Sequence, residues 1–370
     1  MKSISEILGS CQLLLDISYE IQDIFEGFVT DEHRTFIHVL RVVEDFFPKT
    51  AKIRANVGRK AYDELAMIRS SLAKQFFKID SVSSLRNRLL SDPTLRQICG
   101  FTKVPSESTF SRRFSYYAQQ KLMEKVLAPL VTTYMGERIV GHICRDSTAI
   151  EAREKATNRK KEVKPKGKRG RPKKGSKPKE KEQTVLEKQV SQTVEHSLSQ
   201  LNRECSWGCK INSQGNNSYW KGYKLHLDVT DFGLPVSAVV TAANVHDSQV
   251  AIPLEKMSQE RVIHLYSVMD SAYDATTISD YISGSGKVPI IDPNKRRKEK
   301  RTLTSTEQQH FKVRSAVERA NAHLKDWLIP SRIMVRGPDK VAHCLMCGVL
   351  LLAAIKILQY CIVPELEKVA

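Results

Sequence analysis

The chain is short of negative charge. Its 370 residues hold 41 Asp and Glu against 59 Lys and Arg, a formal +18 at pH 7 with His neutral. That imbalance points to a polyanionic partner. Long apolar runs are also lacking. The longest, LMCGVLLLAAI from Leu345 to Ile355, stops at Lys356, short of the roughly 18 residues a membrane span needs, and reads as a buried core helix. No membrane partner is expected. An export leader is missing as well, because MKSISEILGSCQLLLDISYE puts Glu6 and Asp16 where basic and then apolar residues belong; the expected compartment is the cytoplasm. Cysteine is sparse, eight residues scattered along the chain, so free thiols rather than disulfides are expected in that compartment. Cys205, Cys209, Cys344 and Cys347 have the residue types of a four-thiolate zinc site. Against it, a pair three apart in an apolar helix more often packs in a core, and Trp207 stands between the first two instead of a glycine knuckle.

What is present is positive charge in blocks. Lys155 to Lys181 carries 14 Lys and Arg against 2 Glu, two thirds of the whole excess, and a second cluster, KRRKEKR, runs from Lys295 to Arg301. A length of 370 residues exceeds what one core usually supports, so more than one folding unit is expected. Residues 1–135 show helical spacing, as in AYDELAMIRSSLAKQFF, and read as a separate all-helical, DNA-binding domain. Within it, SDPTLRQICGFTKVPSESTFSRRFSYYAQQ outlines a helix capped at Ser91 with Pro93 in its first turn, a turn after Gly100, and a second helix opening at Ser106 or Ser108. A helix-turn-helix presenting Arg112 and Arg113 to DNA and a plain helical hairpin both match this outline.

From Arg138 the texture turns to short strands: RIVGHIC, KGYKLHLDVT, LPVSAVVTA, VIHLYSVMD and VPIID. Gly233 and Pro235 mark a hairpin between the second and third, while DSQVAIPLEKM and DATTISDYIS read as helices capped by Asp247 and Asp274. The class is mixed α/β over residues 136–150 and 205–360, with a tail at 361–370. Residues 151–204, rich in Lys, Glu, Gln and Ser, read as a disordered basic insertion. Its centre, KGKRGRPKKGSK, puts Arg169, Arg171, Lys173 and Lys174 around Gly170 and Pro172, a form able to lie in a narrow minor groove; a sequence-blind polybasic linker is the alternative.

Two aspartates sit where strand segments end, Asp146 and Asp270, each followed by Ser. A carboxylate beside a buried strand needs a partner charge or a metal. A third acid lies in FKVRSAVERANAHLKDW. At about 100° per residue, Phe311, Arg314, Glu318 and Lys325 share one stripe of a helix and Val313, Val317, Ala320, Leu324 and Leu328 another. Three carboxylates from distant segments can hold two Mg²⁺ ions. CRDSTAIEA, TAANVHDS, VMDSAYDATTI and this helix resemble the successive blocks of DDE transposases of bacterial and archaeal insertion sequences, over roughly residues 138–360. In the insertion-sequence-four-like superfamily the third acid lies in a Tyr, two residues, Arg, three residues, Glu, six residues, Lys signature; Phe311 replaces the Tyr here.

The resemblance implies an RNase H-like mixed sheet flanked by helices, with Asp146, Asp270 and Glu318 as catalytic metal ligands. It implies Mg²⁺, replaceable by Mn²⁺, as two ions, and Arg314 and Lys325 on DNA beside the scissile phosphate. The implied activity is binding of element ends in double-stranded DNA, followed by cleavage and transfer of strands by a homodimer on the nucleoid. A metal-dependent nuclease and a non-catalytic DNA-binding derivative are the rival functions. Trp207, Tyr219 and Trp220 read either as base-stacking side chains or as packing beneath the insertion.

Overall fold

The computed structural model describes residues 25, 27–48, 61–157, 183–211, 215–294, 301–330 and 333–364. Among the described residues between Asp31 and Met135 the chain is largely helical because its polar residues fall at helix starts. Helices α1 (Asp31–Glu44), α2 (Glu64–Phe76), α3 (Val82–Ser91), α4 (Pro93–Cys99) and α5 (Glu107–Gln119) begin behind Thr30, Asp63, Ser81, Asp92 and Ser106, whose side chains accept first-turn N–H groups. The cap of α4 is Asp92 rather than Ser91: with Pro93 at the first helical position, Asp92 Oδ1 accepts from Leu95 N at 2.9 Å. Gly100, at φ 87°, ends α4 in the left-handed region. Helix α6 (Leu122–Met135) completes the group.

These helices do not stand apart from the sheet. All of them but α3 and α4 pack on the last long helix, α13 (Pro338–Ile357), which also touches strand β4 (Pro235–Ala242). The apolar core runs without a break from Phe36 and Leu40 through Leu345 and Leu352 to Leu225 and Val229. The cause is α13 itself, apolar on every side and needing cover all round. With its π-helical extension to Ile362 it is long and apolar enough to cross a membrane by length and composition, yet most of it lies inside the protein. Its polar groups find buried partners: His343 Nε2 lies 3.0 Å from Ser71 Oγ, Gln75 Nε2 reaches Cys344 Sγ at 2.9 Å, and Cys347 lies against Ser71. Cys209 is exposed, so it shares none of that environment.

The sheet is mixed. Strand β1 (Ile139–Glu151) lies at its centre, antiparallel to β3 (Asn217–Thr230) and parallel to β5 (Ile263–Met269); β6 (Val288–Ile291) extends it parallel beyond β5, while β4 and β2 (Ser206–Ile211) both pair antiparallel with β3. Gly233, at φ 85°, makes the expected turn into β4. Strand β2 has no counterpart in the sequence reading. It forms a hairpin with the start of β3 in which Trp207 and Tyr219 are exposed, whereas Trp220 is buried with Nε1 donating to Tyr223 O.

One face of the sheet is closed by helix α9 (Ser248–Gln259). Arg145 projects there and forks onto Asp228, both N···O distances 2.7 Å, with a third contact of 3.0 Å to Glu255; Ser258 donates to Asp228, and His264 and Ser267 bond Glu255. Each member is buried and each charge is answered. Residues 183–204, expected to be disordered, instead contain helix α7 (Val185–Ser191) behind a Thr184–Glu187 capping box and helix α8 (Val194–Ser199) behind Thr193. Lys256 of α9 fixes α7 by donating to the carbonyls of Gln189, Val190 and Gln192. The basic centre with Arg169, Arg171, Lys173 and Lys174 lies outside the described residues.

Candidate functional site

Asp146 is placed in mid-strand, since β1 continues five residues past it to Glu151. The parallel register of β1 with β5 pairs Arg145 with Met269 and so brings the next residues, Asp146 and Asp270, side by side where β5 ends. Asp270 Oδ1 accepts from Ala272 N at 3.0 Å and starts a 3₁₀ turn, Ser271–Tyr273. The third acid arrives on a helical run of four parts: α11 (Ser305–Phe311), a 3₁₀ turn (Lys312–Arg314), α12 (Ser315–His323) and a π turn (Leu324–Leu328). The two stripes read from the sequence separate as expected. Val317, Ala320, Leu324 and Leu328 are buried, and Arg314 faces the acids of the strands with Glu318 beside it.

Arg314 joins the three carboxylates. Its Nη2 lies 3.3 Å from Asp146 Oδ1 and 3.8 Å from Asp270 Oδ2, and its Nη1 donates to Glu318 Oε1 at 2.6 Å. Side-chain exposure rises from 19% at Asp146 through 35% at Asp270 to 57% at Glu318, so the site has a floor and a mouth. Burial, reinforced by the charge of Asp270 and only partly opposed by Arg314, pushes the Asp146 carboxyl up to about 6. Burial likewise raises Asp270. For Arg314, burial works downward but is outweighed by Asp146, Asp270 and Glu318, which hold its proton more tightly than usual. Asp146 and Asp270 therefore lack positive charge, and one guanidinium does not supply enough of it.

The residues fit a hydrated divalent cation. The donors are carboxylate oxygens from two strands and a helix, the type hard cations take. Around them Tyr273 Oη, Asn321 Oδ1 and Arg314 Nε are buried without a hydrogen-bond partner, polar atoms that an ion's water shell would satisfy. As the side chains stand, no three His, Cys, Asp or Glu among the described residues are gathered closely enough to chelate a metal; at the three acids the Arg314 guanidinium lies within 2.6 to 3.8 Å of each.

Three further residues of the site escaped the sequence reading. Asn321, one helical turn after Glu318, donates from Nδ2 to Asp146 Oδ2 at 3.3 Å; its i+3 spacing was a usable signal. Asp247 occupies the first cap position of α9 but makes no capping bond, contrary to expectation. Its Oδ1 takes Lys224 Nζ at 2.8 Å and lies 3.8 Å from His226 Nδ1. Its charge raises both Asp146 and Asp270. Tyr273 is fully buried beside these acids, whose charges add to burial in raising its hydroxyl. Asp274 is no cap either; helix α10 (Thr276–Gly284) follows Ala275, and Asp274 Oδ2 accepts from Asn294 N at 2.9 Å.

The expected DNA-contacting residues divide. Lys325 lies in the π turn, with burial and Lys210 lowering its ammonium below the usual range and Asp146 opposing them. Arg112 is exposed on α5, where its Nε bonds Ser108 O at 3.3 Å. Arg113 is built into the helical region, paired with Glu64 and lying over the Tyr116 ring at 5.3 Å.

A family model of the transposase DDE domain matches residues 141–353, and one of a transposase domain (DUF772) matches residues 24–115. No curated protein matches the chain. Among solved structures it is similar to the piggyBac transposase of a cryo-electron-microscopy synaptic complex with hairpin DNA, at 8% identity and a TM-score of 0.42, over 96% of this chain and 77% of that one. The first match takes in more than half of the chain and all three acids joined by Arg314, and with it the chain belongs to the DDE transposases of the insertion-sequence type.

Proposed function

We propose that this transposase binds the ends of an insertion sequence and cleaves and transfers DNA strands at the acidic site of its RNase H-like core, with Asp146, Asp270 and Glu318 holding two Mg²⁺ ions, or Mn²⁺ in their place. The observation that carries the reading is the convergence of these three carboxylates, from β1, the end of β5 and α12, on one cationic group. Bound there, the ions supply activation of a water or a 3′-hydroxyl and stabilisation of the leaving oxygen. The chain's own work is positioning. The middle of β1 fixes Asp146 and the end of β5 fixes Asp270, and α12 brings Glu318 across the mouth from them, where duplex DNA has access. Arg314 and Lys325 offset the charge of a phosphodiester that would otherwise meet only acids.

Away from the chemistry, Arg112 on α5 and the stretch with Arg169, Arg171, Lys173 and Lys174 bind the DNA backbone, so affinity falls steeply with salt. Arg113 serves the fold first, through Glu64. Holding two DNA ends together calls for a homodimer, and the nucleoid is the place of action. The test is labelled DNA bearing the element's own ends, incubated with the wild-type chain and with Asp270→Ala, in Mg²⁺, Mn²⁺ or chelator. Cleavage that needs the metal and falls about a thousandfold or more in the variant is expected. Joining to target DNA separates a transposase from a nuclease, and binding without cleavage by either chain would replace this reading with a non-catalytic one.

A further inference from the structure

Among the described residues two arginines each bridge more than one carboxylate, and they are held differently. Arg145 is locked: two 2.7 Å bonds to Asp228 engage the fork of its guanidinium, and Glu255 takes a third contact. Arg314 is spread over three acids through its two terminal nitrogens, at 2.6, 3.3 and 3.8 Å, while its buried Nε has no partner. It is the one cation among the described residues that reaches all three. Its backbone lies in the short 3₁₀ turn between α11 and α12, and the start of that turn is anchored by His310, which stacks on Tyr266 at 4.1 Å and bonds His142 at 2.8 Å.

We propose that the Arg314 guanidinium is a resident counter-cation that occupies the space between Asp146, Asp270 and Glu318 until a divalent ion replaces it, and that it then turns to the DNA phosphate. The inference rests on the metal-dependent reading of the site. A divalent ion and a guanidinium repel each other and compete for the same oxygens, so both cannot hold the three acids at once. The contacts of Arg314 to the strand acids are long, 3.3 and 3.8 Å, its one short contact of 2.6 Å is to Glu318 on its own helical run, and its Nε is unpartnered, which marks it as the group that moves; the strand acids are fixed by β1 and by the Ala272 N–H. Displacement leaves a free positive fork beside the site, and a phosphodiester is the anion it would meet there. Metal and DNA then assist each other's binding, each removing what opposes the other.

The test measures Mn²⁺ binding by calorimetry without DNA, for the full wild-type chain, Arg314→Gln and Arg314→Lys, with folding checked by circular dichroism. Removal of the resident charge is expected to tighten Mn²⁺ binding by about tenfold or more in Arg314→Gln, and by less in Arg314→Lys, which keeps a charge but loses the fork. Mn²⁺ should also raise the melting temperature of Arg314→Gln more than that of wild type. Adding Asp270→Ala to Arg314→Gln should abolish the gain, which assigns it to these carboxylates. Equal or weaker Mn²⁺ binding by both Arg314 variants would overturn the exchange and leave the metal site standing. No Mn²⁺ binding by any of the three chains would overturn the metal reading and this inference with it.

Discussion

Arg145 and Asp146 are adjacent on β1 and serve opposite faces of one sheet. Toward α9, Arg145 meets Asp228 and Glu255 in a cluster where His264, Ser258 and Ser267 take the remaining hydrogen bonds. Toward α12, Asp146 meets Asp270 and Arg314, and Glu318 through Arg314; Tyr273 Oη, Asn321 Oδ1 and Arg314 Nε are unpartnered there, against His264 Nδ1 in the other cluster. Both clusters contain one guanidinium among carboxylates, yet their electrostatics differ in sign. Burial alone would raise the Glu255 carboxyl, but His264 and Arg145 overcome it and hold the group well below its usual range; on the other face burial prevails and Asp146 is pushed up to about 6. A cluster whose carboxylates are held ionised by their neighbours serves the fold, whereas one short of positive charge is built to receive it.

The largest effect is expected from breaking the closed cluster. Arg145→Met leaves Asp228 and Glu255 buried without a counter-charge, which should lower unfolding free energy by about 3–5 kcal/mol in urea titrations. Arg145→Lys restores charge but not the fork and should fall between that variant and wild type. A loss below about 1 kcal/mol in Arg145→Met would erase the distinction between the faces.

Next in size is a pH effect on the same face. His226 is fully buried, its Nε2 at 2.9 Å from Thr241 Oγ1, and burial lowers its imidazole to about 4 despite Asp247. The unfolded chain therefore binds this proton more readily. The contribution is fully present above about pH 6.5 and is lost as pH falls toward 4, amounting to about 3 kcal/mol across that window. His343 in α13, likewise lowered to about 4 by burial, acts in the same direction. Melting temperatures between pH 7 and 4 should fall less steeply in His226→Gln; unchanged steepness would mean that other groups govern the acid limb.

How much of this was legible in the sequence depended on range. Short β-type segments gave β1, β3, β4, β5 and β6, and Gly233 and Pro235 gave the hairpin, because those signals are local. The acids were singled out by their order along the chain and by the resemblance that includes the Arg314, Glu318 and Lys325 spacing, and the fold brings all three to Arg314. The start of α4 was missed by one residue, since Ser91 and Asp92 are both good caps and Pro93 decides between them. Strand β2 was hidden by its company, a Gly- and Asn-rich stretch. Helices α7 and α8 were hidden by composition, because what orders α7 is Lys256, far along the chain. Asp247 was assigned to capping on position alone; its actual partner, Lys224, comes from pairing β3 with β4 and could not be read without the register.

The smallest expected effect lies at the floor of the open site, and it tells a positioning residue from a catalytic one. Asn321 donates one bond to Asp146 and keeps Oδ1 unpartnered. Its removal in Asn321→Ala takes away a single hydrogen bond to a carboxylate, about 1–2 kcal/mol, so strand cleavage should slow by roughly tenfold, far less than in Asp270→Ala. Asn321→Asp has nearly the same shape but puts a further negative charge against Asp146. Like charges hold protons more tightly, so the acid limb of its pH–rate profile should move to higher pH, while that of Asn321→Ala, which adds no charge, should move less. Equal displacement in both variants would mean that Asn321 acts through packing alone. A loss in Asn321→Ala as deep as that of Asp270→Ala would instead move Asn321 from the support of Asp146 into the set that meets the substrate or its ions.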